Sequence, residues 1–216
     1  MSFISNELLT SSNQALRILR VDASARYDDS VSRQLTHYVV ERFTSEFEDA
    51  TVVERDVAAG LPFVTEEMIG AYYTPRENLT GDQAALLATS DKLVEELQTS
   101  DVLVLGVPIY NFSVPATLKA YIDLVARAGV TFRYGENGPV GLLKDRKTYV
   151  VVTSGGTPLG SDFDYVSGYI RQVLAFLGIT DVEFIAADQL VNDPEATIAK
   201  ARQQIDESIE QLSVAV

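Results

Sequence analysis

Short aliphatic runs alternate with longer amphipathic ones along most of this chain. Residues 17–21 are aliphatic and pass straight into the polar Asp22-Ala23-Ser24, which predicts a buried strand feeding a loop. A helix is expected over 31–47, where Leu35, Val39 and Phe43 recur every fourth residue and form one apolar face. Residues 51–57 predict a second strand, and 62–78, with Gly70, Tyr72, Tyr73 and Pro75, read as irregular. The next helix is expected over 81–99, with Leu86, Leu93 and Leu97 on one side. Residues 101–108 form a third strand, apolar on both faces as at the centre of a covered parallel sheet. The following helix begins near Val114-Pro115, with proline in the first turn, and is expected to stop at 128–129 with Gly129 as its C′ residue. A strand over 149–153, a helix over 165–177 stopped by Gly178, and a strand over 182–186 follow. The closing helix is expected over 194–212, with Ile198, Ile205 and Ile209 inward.

Strand and helix thus alternate five times, which predicts an α/β fold: a five-stranded parallel sheet between two layers of helices, in the order 2-1-3-4-5. The 216 residues, 46% of them hydrophobic, suffice for one core, so 15–216 is read as a single domain. Residues 1–14 are polar, carry neither the basic start nor the apolar run of a leader, and are expected to be a loose extension. No stretch approaches the ~20 apolar residues of a membrane span, and a cytoplasmic location is expected.

The net charge of −14 disfavours nucleic-acid phosphates and anionic lipid as partners. The absence of cysteine excludes thiolate catalysis and Cys-ligated metal, and the one histidine, His37, cannot build a histidine-rich site. It falls within the first helix, off its apolar face, as a partly exposed surface residue. No metal site is expected.

In open α/β sheets ligands bind outside the carboxyl ends of the strands, where the strand order reverses. Three loops fall there. After the first strand, Ser24, Arg26, Ser30, Val31 and Ser32 combine hydroxyls, one cation and a helix start, which suits a phosphate monoester. Those serines also read as ordinary turn and cap residues. After the third strand, Ile109, Tyr110, Asn111 and Phe112 offer apolar walls to a flat aromatic ligand, or plug the core. After the fourth, Thr153, Ser154, Gly155 and Gly156 permit close backbone approach, or make a simple turn. G-x-G-x-x-G, the P-loop and the G-x-S-x-G elbow are all missing.

The run 108–115 with Leu118-Lys119, the block 126–143 and the segment 176–182 together resemble the FMN-dependent NADH:azoreductase and NAD(P)H:quinone reductase family. The resemblance extends over nearly the whole chain from Ile18. It implies a flavodoxin-like three-layer fold and a homodimeric flavoprotein oxidoreductase with one FMN per subunit. The implied activity is ping-pong transfer of two electrons from NADH or NADPH through FMN to quinones and aromatic azo compounds, the latter cleaved to amines. It implies that Ser24, Ser30, Val31 and Ser32 hold the FMN phosphate, that 109–112 lie against the flavin ring, and that 153–156 meet its polar edge. Tyr134 and Phe176 match aromatic positions of the substrate pocket. No side chain is assigned as catalytic acid or base. The family often carries Ser-Arg-Gly-Gly where this chain has Ser154 between Thr153 and Gly155, so a cation is missing there. A flavodoxin-like FMN electron carrier with no small-molecule substrate of its own is the alternative.

Overall fold

A computed structural model describes residues 15–214, with side chains as far as Leu212; the extension expected over 1–14 lies outside the described residues. The chain runs β1 (Arg17–Asp22), α1 (Val31–Glu46), β2 (Thr51–Asp56), α2 (Glu66–Tyr72), a 3-10 turn (Arg76–Asn78), α3 (Gly81–Thr99) and β3 (Val102–Pro108). It continues with α4 (Ala116–Val125), β4 (Phe132–Gly135), β5 (Gly138–Gly141), β6 (Lys147–Thr153), α5 (Ser167–Leu177), β7 (Val182–Ala187) and α6 (Pro194–Val214). The main sheet has the order β2-β1-β3-β6-β7, every pair parallel. This is the expected 2-1-3-4-5 order, renumbered because a separate antiparallel hairpin, β4–β5, precedes the fourth strand of the sheet.

Alternation along each strand divides the core in two. Leu103, Leu105 and Val107 of β3 face a cluster with Leu93 and Leu97 of α3, Leu118 and Leu124 of α4, and Ile170 and Leu174 of α5. Val102 and Val104 face the other way, onto Leu35, Val39 and Phe43 of α1 and Ile205 and Ile209 of α6. Full burial of one such side chain contributes about 1.5–3 kcal/mol, and every residue of β3 is buried. The register sets Asp22 against Gly106 and Pro108 against Thr153, so the loops after β1, β3 and β6 leave one edge of the sheet.

Several elements differ from expectation. In α3 the inward positions are Leu87, Ser90, Leu93, Val94 and Leu97, so Leu93 and Leu97 face inward as expected while Leu86 is exposed. Spacings of three and four starting from 87, not 86, carry the stripe. Pro115 is the N-cap of α4 rather than part of its first turn, and the helix stops at Val125, before Gly129. Side-chain bonds from the following turn end it: the Thr131 hydroxyl donates to Val125 O at 2.6 Å and accepts from the Arg127 N–H at 2.8 Å. The Arg127 side chain then turns inward to Ser90 and Asp91. Gly129 has positive φ but sits in the turn that feeds β4. The segment read as irregular contains α2, capped by Thr65 and anchored by Met68 and Ala71.

Two polar anchors fasten the start of β6. Buried Arg146 donates to Leu97 O and, at 2.6 Å, to Ser100 O, meeting carbonyls that α3 leaves open at its C-terminus. Its neighbour Asp145 accepts the N–H groups of Arg146, Thr180 and Asp181 at 2.9, 2.7 and 3.1 Å. Burial works against the Asp145 charge, but the Thr180 bonds and the other N–H groups outweigh it and hold the carboxyl below its ordinary value. A carboxyl depressed in the folded state contributes stability above its unfolded value, ~3.9, and loses it as pH falls through the folded one. Asp145→Asn is therefore expected to lower stability by about 1 kcal/mol at pH 7, a figure already discounted for partial exposure. Urea unfolding should show the gap from the parent shrinking as pH is taken from 5 toward 3; a constant gap would mean the charge plays no part.

Candidate functional site

The loops at the carboxyl edge meet around one cleft of about 310 Å3. Ser24 and Arg26 line it from the loop after β1, and Ser30, Val31 and Ser32 from the start of α1. Pro108, Ile109 and Tyr110 line it from the end of β3, and Thr153, Ser154 and Gly155 from the end of β6. Leu190 and Val191, in the loop after β7, complete the wall.

One end gathers hydroxyls at a helix start, a setting that suits an anion. Ser30 caps α1, its hydroxyl accepting from the Arg33 N–H at 3.5 Å and lying 3.3 Å from the Ser32 hydroxyl. The N–H groups of Val31 and Ser32 fall in the first turn, where a helix provides no acceptor of its own, and they point along its positive end. Ser24 is buried beside them, its Oγ accepting from the Arg26 N–H at 3.2 Å. Among the described residues no carboxylate lines the cleft, although Asp28 and Asp29 belong to the same loop.

The other end is apolar and flat. Tyr110 and Ser113 exchange backbone bonds at 2.9 and 3.1 Å around Asn111 and Phe112, whose φ values are +49° and +70°. This is a tight turn of the mirror-image type, and it holds a phenylalanine in the left-handed region, a strained position found mainly at functional sites. The turn sets Tyr110 across the cleft, where its hydroxyl accepts from the Ala25 N–H at 3.1 Å and lies 3.5 Å from Ser24 Oγ. The aromatic shelf is thereby bonded to the anion end.

Of the residues expected from sequence, Ser24, Ser30, Val31, Ser32, Ile109, Tyr110, Thr153, Ser154 and Gly155 share this cleft, and Asn111, Phe112 and Gly156 lie outside its wall. Asn111 lines an adjoining depression of about 640 Å3 with Lys119, Tyr165 and Tyr169, and Tyr110 is common to both. Phe112 is exposed, its ring centroid 6.4 Å from that of Phe163. Tyr134 and Phe176 are apart from the cleft but near each other, since Phe132 meets Tyr134 edge-on at 5.6 Å and Phe176 at 4.3 Å. His37 is exposed on α1, between Arg20 and Glu41.

Ser154 carries no charge to the cleft. Its hydroxyl donates to Thr157 O at 2.5 Å and accepts from the Gln189 N–H at 3.3 Å, while its carbonyl accepts from Leu190 N at 3.0 Å. Those bonds bring the β7 loop to the cleft and explain why Leu190 and Val191 line it. Neither was foreseen, because Leu190-Val191 has no pattern that separates it from an ordinary strand-to-helix connection.

The parallel order, the switch-point cleft and the anion end facing an aromatic shelf define a flavodoxin-like protein. A family model described as a flavodoxin-like fold matches residues 16–209, and the chain belongs to that family. Within it, the chain is 58% identical over 189 residues to an FMN-dependent NADH:quinone oxidoreductase of Hahella chejuensis, covering 88% of this chain and 93% of that one. A second, from Jannaschia sp., is 51% identical over 189 residues, with 88% and 96% covered. An FMN-dependent NADH-azoreductase of Bacillus anthracis, solved in complex with FMN, is similar in structure with a TM-score of 0.81 at 26% identity, over 92% of this chain and 99% of that one.

Proposed function

We propose that this chain is an FMN-dependent NADH:quinone oxidoreductase that also reduces aromatic azo compounds. The observation that carries the reading is the shared cleft, in which the serine-lined start of α1 faces Ile109 and Tyr110. The donor set fits the cofactor: two free N–H groups, three hydroxyls and Arg26 at one end suit a phosphate dianion, and the apolar end suits a flat ring. Ser24, Ser30, Val31 and Ser32 hold the phosphate, Ile109 and Tyr110 wall the ring, and Thr153, Ser154 and Gly155 border its polar edge. Bound FMN supplies two-electron chemistry, accepting a hydride from NADH and passing electrons to the acceptor. The protein supplies orientation and exclusion of water. Among the described residues, no carboxylate or imidazole lines the cleft to act as proton donor or acceptor.

The whole of 15–216 works as one flavin-binding unit, in a homodimer in the cytoplasm, where NADH is at hand. Exposed Tyr134, Val140 and Leu142 around the hairpin give a second copy an apolar edge to cover, and that copy brings Tyr134 and Phe176 to the acceptor. Asn111 and Phe112 lie on the acceptor side of the flavin ring, and Gly156 closes the β6 loop. No helix among the described residues is long and apolar enough to cross a membrane.

The purified protein should be yellow, and anaerobic NADH should bleach it within one turnover. Menadione or an azo dye should then restore the colour. A yellow protein inert to NADH would instead favour an electron carrier, and a colourless one that takes up no FMN would remove the flavin reading altogether.

A further inference from the structure

Arg33, in the first turn of α1, lies behind the cleft rather than in its wall. Its Nη2 donates to Ser24 O at 2.7 Å, and its Nε donates to Ser24 O and Arg26 O at 3.2 and 3.1 Å. Nη2 also meets Asp56 Oδ1 at 2.8 Å, and the guanidinium carbon sits 4.5 Å from the centre of the Tyr27 ring. Asp56 ends β2 and is itself held by the Ala58 N–H at 2.9 Å. Burial opposes its charge, but Arg33 and Ala58 outweigh that and keep its carboxyl below the ordinary value, so the pair stays ionised at neutral pH. Ser24 and Arg26 are the two residues by which the β1 loop enters the cleft wall. The backbone carrying both is therefore gripped from behind by one planar fork tied to the sheet.

We propose that Arg33 is the positioning residue of the phosphate cradle, and that its fork on Ser24 O and Arg26 O, anchored by Asp56, carries this chain's preference for a phosphorylated flavin over riboflavin without touching the ligand. The proposal rests on the flavin reading above. It separates geometry from charge. A lysine at 33 keeps the cation but cannot bond two carbonyls and a carboxylate in one plane. Were Arg33 only a source of positive potential for the phosphate, lysine would serve as well.

The test titrates the flavin-stripped, full-length parent and its Arg33→Met, Arg33→Lys and Asp56→Asn variants with FMN and with riboflavin, followed by flavin fluorescence. The parent should prefer FMN by at least about a hundredfold. Arg33→Met and Arg33→Lys should each lose about 10- to 100-fold in FMN affinity, with riboflavin affinity changed by less than about threefold. Asp56→Asn, which leaves the fork but loosens its anchor, should lose about three- to tenfold for FMN alone. Arg33→Lys binding FMN like the parent would overturn the proposal, as would Arg33→Met losing both flavins equally. If the Arg33 variants do not fold, Asp56→Asn decides: an undiminished FMN preference overturns the proposal. A parent that binds neither flavin fails the functional reading itself, and one that binds FMN while its Arg33 variants keep full FMN preference fails this inference only.

Discussion

Ser32→Asp is expected to weaken FMN binding by at least about a hundredfold while the flavin-free protein stays folded, at a stability cost of about 1–2 kcal/mol. Ser32 is buried in the first turn of α1, its hydroxyl beside that of Ser30 and facing the cleft. A carboxylate there would put a negative charge in the place proposed for the phosphate. The positive end of α1 favours any anion in its first turn by about 0.3–1 kcal/mol and so offsets part of the cost of burying the carboxylate in the empty protein. A phosphate dianion arriving a few ångströms away then meets a like charge in a largely enclosed site, where about 3 kcal/mol of repulsion corresponds to the hundredfold loss. Calorimetric titration with FMN, together with thermal unfolding of the flavin-free chain, checks both. Full FMN affinity in the variant would show that the phosphate lies elsewhere, and the assignment of Ser24, Ser30 and Ser32 would fall with it.

This serine-lined helix start was legible in the sequence because its parts are local. A serine-rich stretch between a strand and a helix start fixes the cap, the free N–H groups and the dipole together, and Ser30 caps α1 as such a stretch implies. The five strands were legible for the same reason, since each is an apolar run bounded by loop residues. What stayed hidden depends on hydrogen bonds that no periodic pattern announces. The stop of α4 at Val125 comes from Thr131, and the approach of Leu190 to the cleft comes from Ser154, 36 positions earlier. The grip of Arg33 on the β1 loop depends on where β2 ends, at Asp56. The hairpin has strands of four residues each, too short for alternation to register. Its block of sequence was legible as a resemblance but not as a structure. Leu86 and Leu87 differ by one position, and a helix-period pattern with adjacent leucines fixes the face only to within such a step.

The hairpin also sets the largest stability effect expected of a single methyl group. Gly141, at the end of β5, packs directly on the backbone at the end of α5: a Cβ there would collide with the Gly178 N and Cα and with the Leu177 carbonyl carbon. Gly178 is in turn constrained by φ of +107°, which terminates α5, and by Leu143 O, 2.7 Å from where its own Cβ would stand. The obstructing atoms are backbone on both sides, so no side-chain rotation relieves the contact. Gly141→Ala must therefore push the hairpin off α5, straining the bond from Leu143 N to Leu177 O and opening the contact between Phe132 and Phe176. The expected cost is about 3 kcal/mol, or a fall of about 10 °C in melting temperature for a chain of this size. Near-ultraviolet circular dichroism should lose aromatic signal before the helices unfold, because the displaced element carries Phe132 and Tyr134 but no part of the main sheet. FMN affinity should change far less than stability, since no hairpin residue lines the cleft. A variant that melts within about 2 °C of the parent would show that the hairpin does not rest on α5 as described, and the pairing of Tyr134 with Phe176 through Phe132 would lose its support.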